Sequence, residues 1–318
     1  MATVRTVLGE IAPSEMGVTL THEHLLYGWG SAVQDLGPRY NREALIDHIC
    51  NDLGAAVRDH GVKTVVDATA AEAGRNVDVM AEVARRLNVH LIASTGYYVV
   101  ATYWSMLDVE HLVENMVHDV EDGVGQSGVK CGVLKLATNT PSLTPPEEKA
   151  FRAAARAQQA LKVPIVVHTG HGTWQSKDPD GGPLGALDLM LSEGADPSHI
   201  QISHCDFARG DLGTLTRLAE RGCYLSFDNI GQRFYPEIDE TRLAMVSSLL
   251  GAGFQNRVHF SMDHISAFVE ATPKMFADLN RDFSYMHREF IPELLQAGLS
   301  DKDVQTFTME NPKTLFTF

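Results

Sequence analysis

The sequence predicts an α/β protein built as one (β/α)8 barrel spanning residues 1–318. Three observations carry that expectation. Short apolar runs alternate with helix-like stretches eight times. The runs are nearly continuous in apolar residues, as in strands covered on both faces within a parallel sheet. No low-complexity or Ser/Pro/Gly-rich linker divides the chain. Eight such units in one undivided chain favour a closed barrel over an open doubly wound sheet. The rival dinucleotide-binding fold places G-x-G-x-x-G after its first strand, and none stands there.

The strands are read in order. They are Gly17 to Thr21, Thr64 to Asp67, His90 to Ser94 and Gly132 to Leu136, followed by Pro164 to His168, Ile200 to His204, Tyr224 to Phe227 and Val258 to Ser261. The helices between and after them are Arg42 to His60, Asn76 to Leu87, Asp108 to Gly123 and Pro145 to Leu161, then Leu184 to Glu193, Asp211 to Arg221, Glu240 to Leu250 and Phe283 to Ala297. Pro145 and Pro146 suit a first helical turn, where the missing N–H costs nothing. The segment Thr3 to Glu10 is expected to add a short strand beside the start of strand one.

Composition narrows the function. The formal net charge of -15 argues against a nucleic-acid partner, because phosphate binding wants clustered Lys and Arg. The N-terminus lacks the apolar core of a secretion signal, and no membrane-length apolar run occurs. A cytoplasmic protein without a membrane partner is therefore expected. The four cysteines, Cys50, Cys131, Cys205 and Cys223, show no C-x-x-C spacing and read as reduced core thiols.

The chemistry begins at Leu20-Thr21-His22-Glu23-His24. Side chains alternate along a strand, so His22 and His24 share a face and Glu23 takes the other. Such a pair is ordinary in a chain with 14 histidines; its weight comes from polar residues on the later strands. Lys135 sits inside the fourth strand run, His168 ends the fifth, His204 ends the sixth and Asp263 comes just after the eighth. All lie at the C-terminal ends of barrel strands, where barrel active sites are built. Four imidazoles and one carboxylate can hold two divalent ions, zinc first, with manganese, cobalt or iron also suited. Two cations that close need a bridging anion, and the carbamate of Lys135 with CO2 is one. An apolar strand lowers an amine's pKa and favours the neutral form that carboxylates. A hydroxide between the ions is then the nucleophile, and Asp263 is a ligand and general base. Taken singly, each residue has a plainer reading: a satisfied core histidine, a lysine reaching water, an aspartate capping a helix. Six plain readings at one face of one barrel are the poorer account.

These residues resemble the phosphotriesterase family of the amidohydrolase superfamily over essentially the whole chain. The resemblance rests on Thr21 to His24, Gly132 to Lys135, Val167 to Gly170, Ser203 to Asp206, Ser261 to Asp263 and Asn311-Pro312, in that order and spacing. It implies a distorted barrel of amidohydrolase type, a homodimer and a binuclear zinc-like centre. It also implies that His22, His24 and Asp263 hold one metal, His168 and His204 the other, and carboxylated Lys135 bridges them. Small-molecule lactones, carboxyl esters, amides and organophosphate triesters are the substrate classes implied. The stretch Phe227-Asp228-Asn229-Ile230-Gly231 departs from the Asp-Arg-Tyr-Gly-like turn of quorum-lactone enzymes. It looks more like the branch acting on small lactones, sugar lactones and amides.

For the substrate pocket the sequence offers Tyr98, Arg233 and His264. Tyr98 can donate to a carbonyl oxygen and Arg233 can meet an anionic group. His171 and Trp174 are further lining candidates. The reading is a metal-dependent hydrolase of a lactone or carboxyl ester, with triester hydrolysis as a side activity. A triester or an amide as the main substrate is the alternative. A catalytically retired binding barrel would have lost a ligand, a single-metal deaminase would lack the bridging lysine, and a Schiff-base aldolase would leave four histidines without a role.

Overall fold

The chain's structure, a computed structural model, describes residues 2–28, 41–98, 102–232, 237–268 and 281–318. Its main sheet contains β3 (Val18–Tyr27), β4 (Val62–Asp67), β5 (His90–Tyr97), β6 (Val133–Thr138), β7 (Ile165–Thr169) and β8 (Ile200–Ser203). Three more strands complete it: β9 (Tyr224–Phe227), β10 (Val258–Phe260) and β11 (Ile265–Phe268). The order is β10-β9-β8-β7-β6-β5-β4-β3-β11, and every neighbouring pair is parallel.

The two edge strands are consecutive in the chain. β10 lies against β9, and four residues later β11 pairs with β3, with Ile265 opposite His24. The curled sheet therefore closes through an eighth barrel strand split in two, and the architecture is a distorted (β/α)8 barrel. The split needs new partners for the backbone groups it frees. Glu23 supplies them: its buried carboxylate accepts from Met262 N at 3.0 Å, His264 N at 2.7 Å and Ser261 Oγ at 2.8 Å. The face of β3 opposite His22 and His24 thus braces the interrupted strand.

Helices begin and end where local chemistry says they should. Asn41 caps α1 (Arg42–His60) by accepting from Glu43 N and Ala44 N, and Gly61 closes it in the left-handed region at φ 68°. The Thr144–Glu147 capping box starts Pro145–Leu161, with proline in the first turn. The apolar helix faces pack on the outside of the sheet. A second cluster fills the lower lumen, where Val133 and Val166 stand one strand step below Lys135 and His168. Val4, Met16, Leu315 and Phe316 belong to this cluster and plug the bottom, which leaves the C-terminal mouth as the place for a site.

Three expectations need correction. The N-terminal segment does not pair with the first barrel strand. It forms its own hairpin, β1 (Val4–Thr6) with β2 (Gly9–Ile11), and docks through Val7 N to Leu91 O at 2.8 Å. Gly9 at φ 122°, together with the Thr6 hydroxyl donating to its carbonyl, reverses the chain within two residues. The first barrel strand also runs further than the apolar run suggests, so His22 and His24 lie inside it. A register shift between Leu20 and Glu23 lets it bend there. The final helix region opens with a π-helical turn, Met286–Phe290, and continues as Ile291–Gln296. The four cysteines are free thiols, and no described helix is long and apolar enough to cross a membrane.

Candidate metal centre

One group of ligand-type atoms is built by β3 and the split in the eighth strand. Asp263 Oδ1 lies 3.0 Å from His24 Nε2 and 3.8 Å from His22 Nε2. Its backbone makes that possible. Asp263 N donates to His22 O at 3.0 Å, and His264 O accepts from His24 N at 2.8 Å. Asp263 itself is left-handed, at φ 49°, a conformation short polar residues tolerate.

The second group comes from β7 and β8. His204 Nε2 faces His168 Nδ1 at 2.6 Å, and His204 sits in the left-handed region at φ 61°. Between the groups stands Lys135, fully buried, with Nζ 2.9 Å from His22 Nε2. Among the described residues no carboxylate lies within ion-pair distance of it. The backbone is pressed close here. Gly96 is opposite Lys135 in register, at φ 123°, and a Cβ there would stand 2.2 Å from Lys135 O.

Burial favours the neutral, metal-binding form of His22, His168 and Lys135. Burial and the nearby Lys135 amine lower His22 to about 4. Burial and the facing His204 push His168 well below the ordinary imidazole range. Burial lowers the Lys135 amine to about 8, against the pull of Asp263, Asp228 and Asp67. Burial opposes the ionised form of Asp263, yet the imidazoles around it prevail and hold its carboxyl far below the usual range. Burial opposes the charged form of His204, yet the Asp228 carboxylate raises it. Clustered imidazoles, an ionised carboxylate and a buried amine with no described carboxylate partner fit divalent cations of borderline softness. His22, His24 and Asp263 form one candidate metal-holding group.

Every imidazole is fixed through its second nitrogen. Asp228 meets His22 Nδ1 at 2.9 Å and His204 Nδ1 at 2.7 Å. Thr69 Oγ1 meets His24 Nδ1 at 2.7 Å, and Asn139 Oδ1 meets His168 Nε2 at 3.1 Å. Such outer partners set tautomer and ring orientation. Burial opposes the ionised form of Asp228, but the two imidazoles hold its carboxyl well below the ordinary range. Asp206 seats the turn, accepting from Asp228 N at 2.9 Å and Asn229 N at 3.0 Å, and it pairs with buried Arg242. The sequence reading missed Asp228, Thr69 and Asn139. Asp228 carried a signal: it stands directly after the seventh apolar run, at the same end of the barrel as the ligands.

The structure brings His22, His24, Lys135, His168, His204 and Asp263 to one mouth. His168 and Asp263 are half-buried there, and the others are buried. A cavity of about 310 Å3 opens on His168, His204 and Asp263 and is walled by Asn139, His171, Phe207, Asn229 and Gln232. Tyr98 stands beside His168, its ring 5.1 Å from the His168 ring and 5.9 Å from Lys135 Nζ. Burial pushes its hydroxyl up to about 12, so it is a donor at neutral pH. His264 is not brought to the mouth. One residue past Asp263, its ring turns outward, meeting Asp52 of α1 at 2.9 Å and the edge of Phe283. Trp174 packs behind β7, donating to Thr169 O at 3.2 Å. Arg233 lies outside the described residues.

Comparison with known proteins agrees with this geometry. The family model described as "Phosphotriesterase family" matches residues 2–316. The "Phosphotriesterase homology protein" of Escherichia coli is 32% identical over 305 residues, covering 94% of this chain and 98% of that protein. The "N-acetyltaurine hydrolase" of Rattus norvegicus is 28% identical over 355 residues, covering 99% and 98%. A solved variant of a PTE-like lactonase from Deinococcus radiodurans superposes with TM-score 0.88 at 30% identity, covering 99% and 100%. With the fold and the polar mouth already in place, the chain belongs to the phosphotriesterase family, as a metal-dependent hydrolase.

Proposed function

We propose that this hydrolase holds two divalent cations and cleaves a small lactone or carboxyl ester. One observation carries the reading: two ligand groups face each other across a fully buried lysine amine that no described carboxylate neutralises. His22, His24 and Asp263 would hold one ion, and His168 and His204 the other. Lys135, carrying CO2 as a carbamate, would serve both. Zinc fits the donor set best, with manganese, cobalt and iron as substitutes. When bound, the cations supply Lewis-acid polarisation of the scissile group and ionised water at neutral pH.

The chain's own residues do the rest. Asp263 faces the cavity and takes the proton of the attacking water, then returns it to the leaving alkoxide. The Tyr98 hydroxyl donates to the ester's carbonyl oxygen as charge builds there. Phe207 excludes water from one wall, while Asn139, Asn229 and Gln232 offer neutral hydrogen bonds. A cavity of about 310 Å3 suits a small ring or short ester over a long acyl chain.

An amide is the second reading, favoured by the rat relative named for hydrolysis of an N-acetyl compound. The test is a panel of γ- and δ-lactones, an acyl-homoserine lactone, an aryl ester, an N-acetylated amine and a phosphotriester, assayed on metal-loaded and chelator-stripped protein. Lactone or ester turnover that disappears on stripping supports the proposal. Turnover confined to the amide moves the assignment to the second reading, and stripped protein with full activity refutes both.

A further inference from the structure

We infer that Asp228 is a positioning residue shared by both metal sites, so that this one carboxylate sets the affinity of the two together; the inference rests on the two-cation reading above. The four histidines have unequal partners. His24 is backed by a hydroxyl (Thr69 Oγ1, 2.7 Å) and His168 by a carboxamide (Asn139 Oδ1, 3.1 Å). His22 and His204 are backed by the two oxygens of one carboxylate, Oδ2 at 2.9 Å and Oδ1 at 2.7 Å. Each proposed site thus has one histidine with a neutral partner and one with an anionic partner, and the anion is the same atom group.

The placement is built. Asp228 is fully buried, and besides the two imidazoles it receives His204 N at 2.8 Å. Its own N–H and that of Asn229 are held by Asp206, which buried Arg242 anchors. The His22 and His204 rings stand 5.0 Å apart over it. A carboxylate behind an imidazole raises its basicity toward a metal more than a neutral acceptor does, and losing an outer partner costs about 10–100-fold in metal affinity. Here one loss acts on two ions, whereas Thr69 and Asn139 each act on one.

The test is equilibrium dialysis of full-length protein against zinc buffered by a competing chelator, with zinc per chain read by elemental analysis. Circular dichroism checks that each variant is folded. Wild type should retain about two ions. Thr69→Val and Asn139→Ala should each weaken one ion about 10-fold and keep the other. Asp228→Asn should weaken both together by about 10–100-fold. Asp206→Asn, which touches neither imidazole, should weaken both in the same proportion and keeps the test alive if Asp228→Asn does not fold. An Asp228→Asn protein that keeps one ion at wild-type affinity overturns the sharing and leaves the two-cation reading intact. A wild type that never exceeds one ion removes the two-cation reading and the inference with it.

Discussion

The carboxylate of Glu23 brackets Asp263, accepting the backbone N–H on each side of it, from Met262 at 3.0 Å and His264 at 2.7 Å. Asp263 is also tied by its own N–H to His22 O, and its carbonyl receives Arg281 Nη2 at 3.2 Å. The acid that reaches the mouth is therefore aimed by its backbone more than by its side chain. Glu23 lies between His22 and His24 in sequence, yet its work is on another strand.

Glu23→Gln should cost about 1–3 kcal/mol of stability, since an amide nitrogen then faces backbone donors in a buried site. Turnover should fall further than stability predicts, because Asp263 loses its aim. Urea unfolding and steady-state kinetics on the same preparation check this. Wild-type kcat in a destabilised Glu23→Gln protein would show that Glu23 serves stability alone.

Asp263→Asn should keep the fold and much of the bound metal while losing about 10²–10⁴-fold in kcat, the range a positioned acid–base group supplies. Near-wild-type turnover would exclude Asp263 as the proton carrier. KM should change little if the residue acts on protons more than on substrate binding.

Gly96→Ala should destabilise the barrel by about 1–3 kcal/mol, because φ 123° is unfavourable to any side chain and the new Cβ meets Lys135 O at 2.2 Å. The melting temperature reads the first effect. Loss of metal at fixed free zinc reads the second, since Lys135 would be displaced. A variant that melts and binds metal as wild type does would contradict the close approach.

Asp206→Ala should cost about 3–5 kcal/mol, because it removes the carboxylate that buried Arg242 meets and the acceptor of the Asp228 and Asn229 N–H groups. The double variant Asp206→Ala with Arg242→Met should recover part of that loss. Additive losses in the double-mutant cycle would argue that the pair is not coupled.

Much of this site was legible in the sequence, for a physical reason. His168 and His204 stand at the mouth ends of buried strands and Lys135 within one, and strands announce themselves as apolar runs one repeat apart. Side chains carried by regular elements inherit that regularity. What regular elements do not carry was harder to see. Thr69 and Asn139 matter only because a second ring nitrogen arrives from another strand, which neither sequence distance nor residue type announces; Asp228 was marked only by its place after the seventh run. The split of the eighth strand was hidden because the apolar run ends at Ser261 and Ile265 to Phe268 was not read as its continuation across a gap that Glu23 fills. His264 was placed at the mouth by nearness in sequence to Asp263, but the left-handed turn at Asp263 sends its ring to Asp52 of α1. The N-terminal hairpin depended on Gly9, a single residue in a short segment.

Whether the mouth holds two cations bridged through Lys135 is tested most directly by elemental analysis of metal per chain. The protein is prepared with zinc and bicarbonate, wild type beside Lys135→Ala. About two zinc ions per wild-type chain are expected, with loss of metal from the variant and its fold retained. One ion or none in wild type, or an unchanged pair of ions in Lys135→Ala, would contradict the bridged pair.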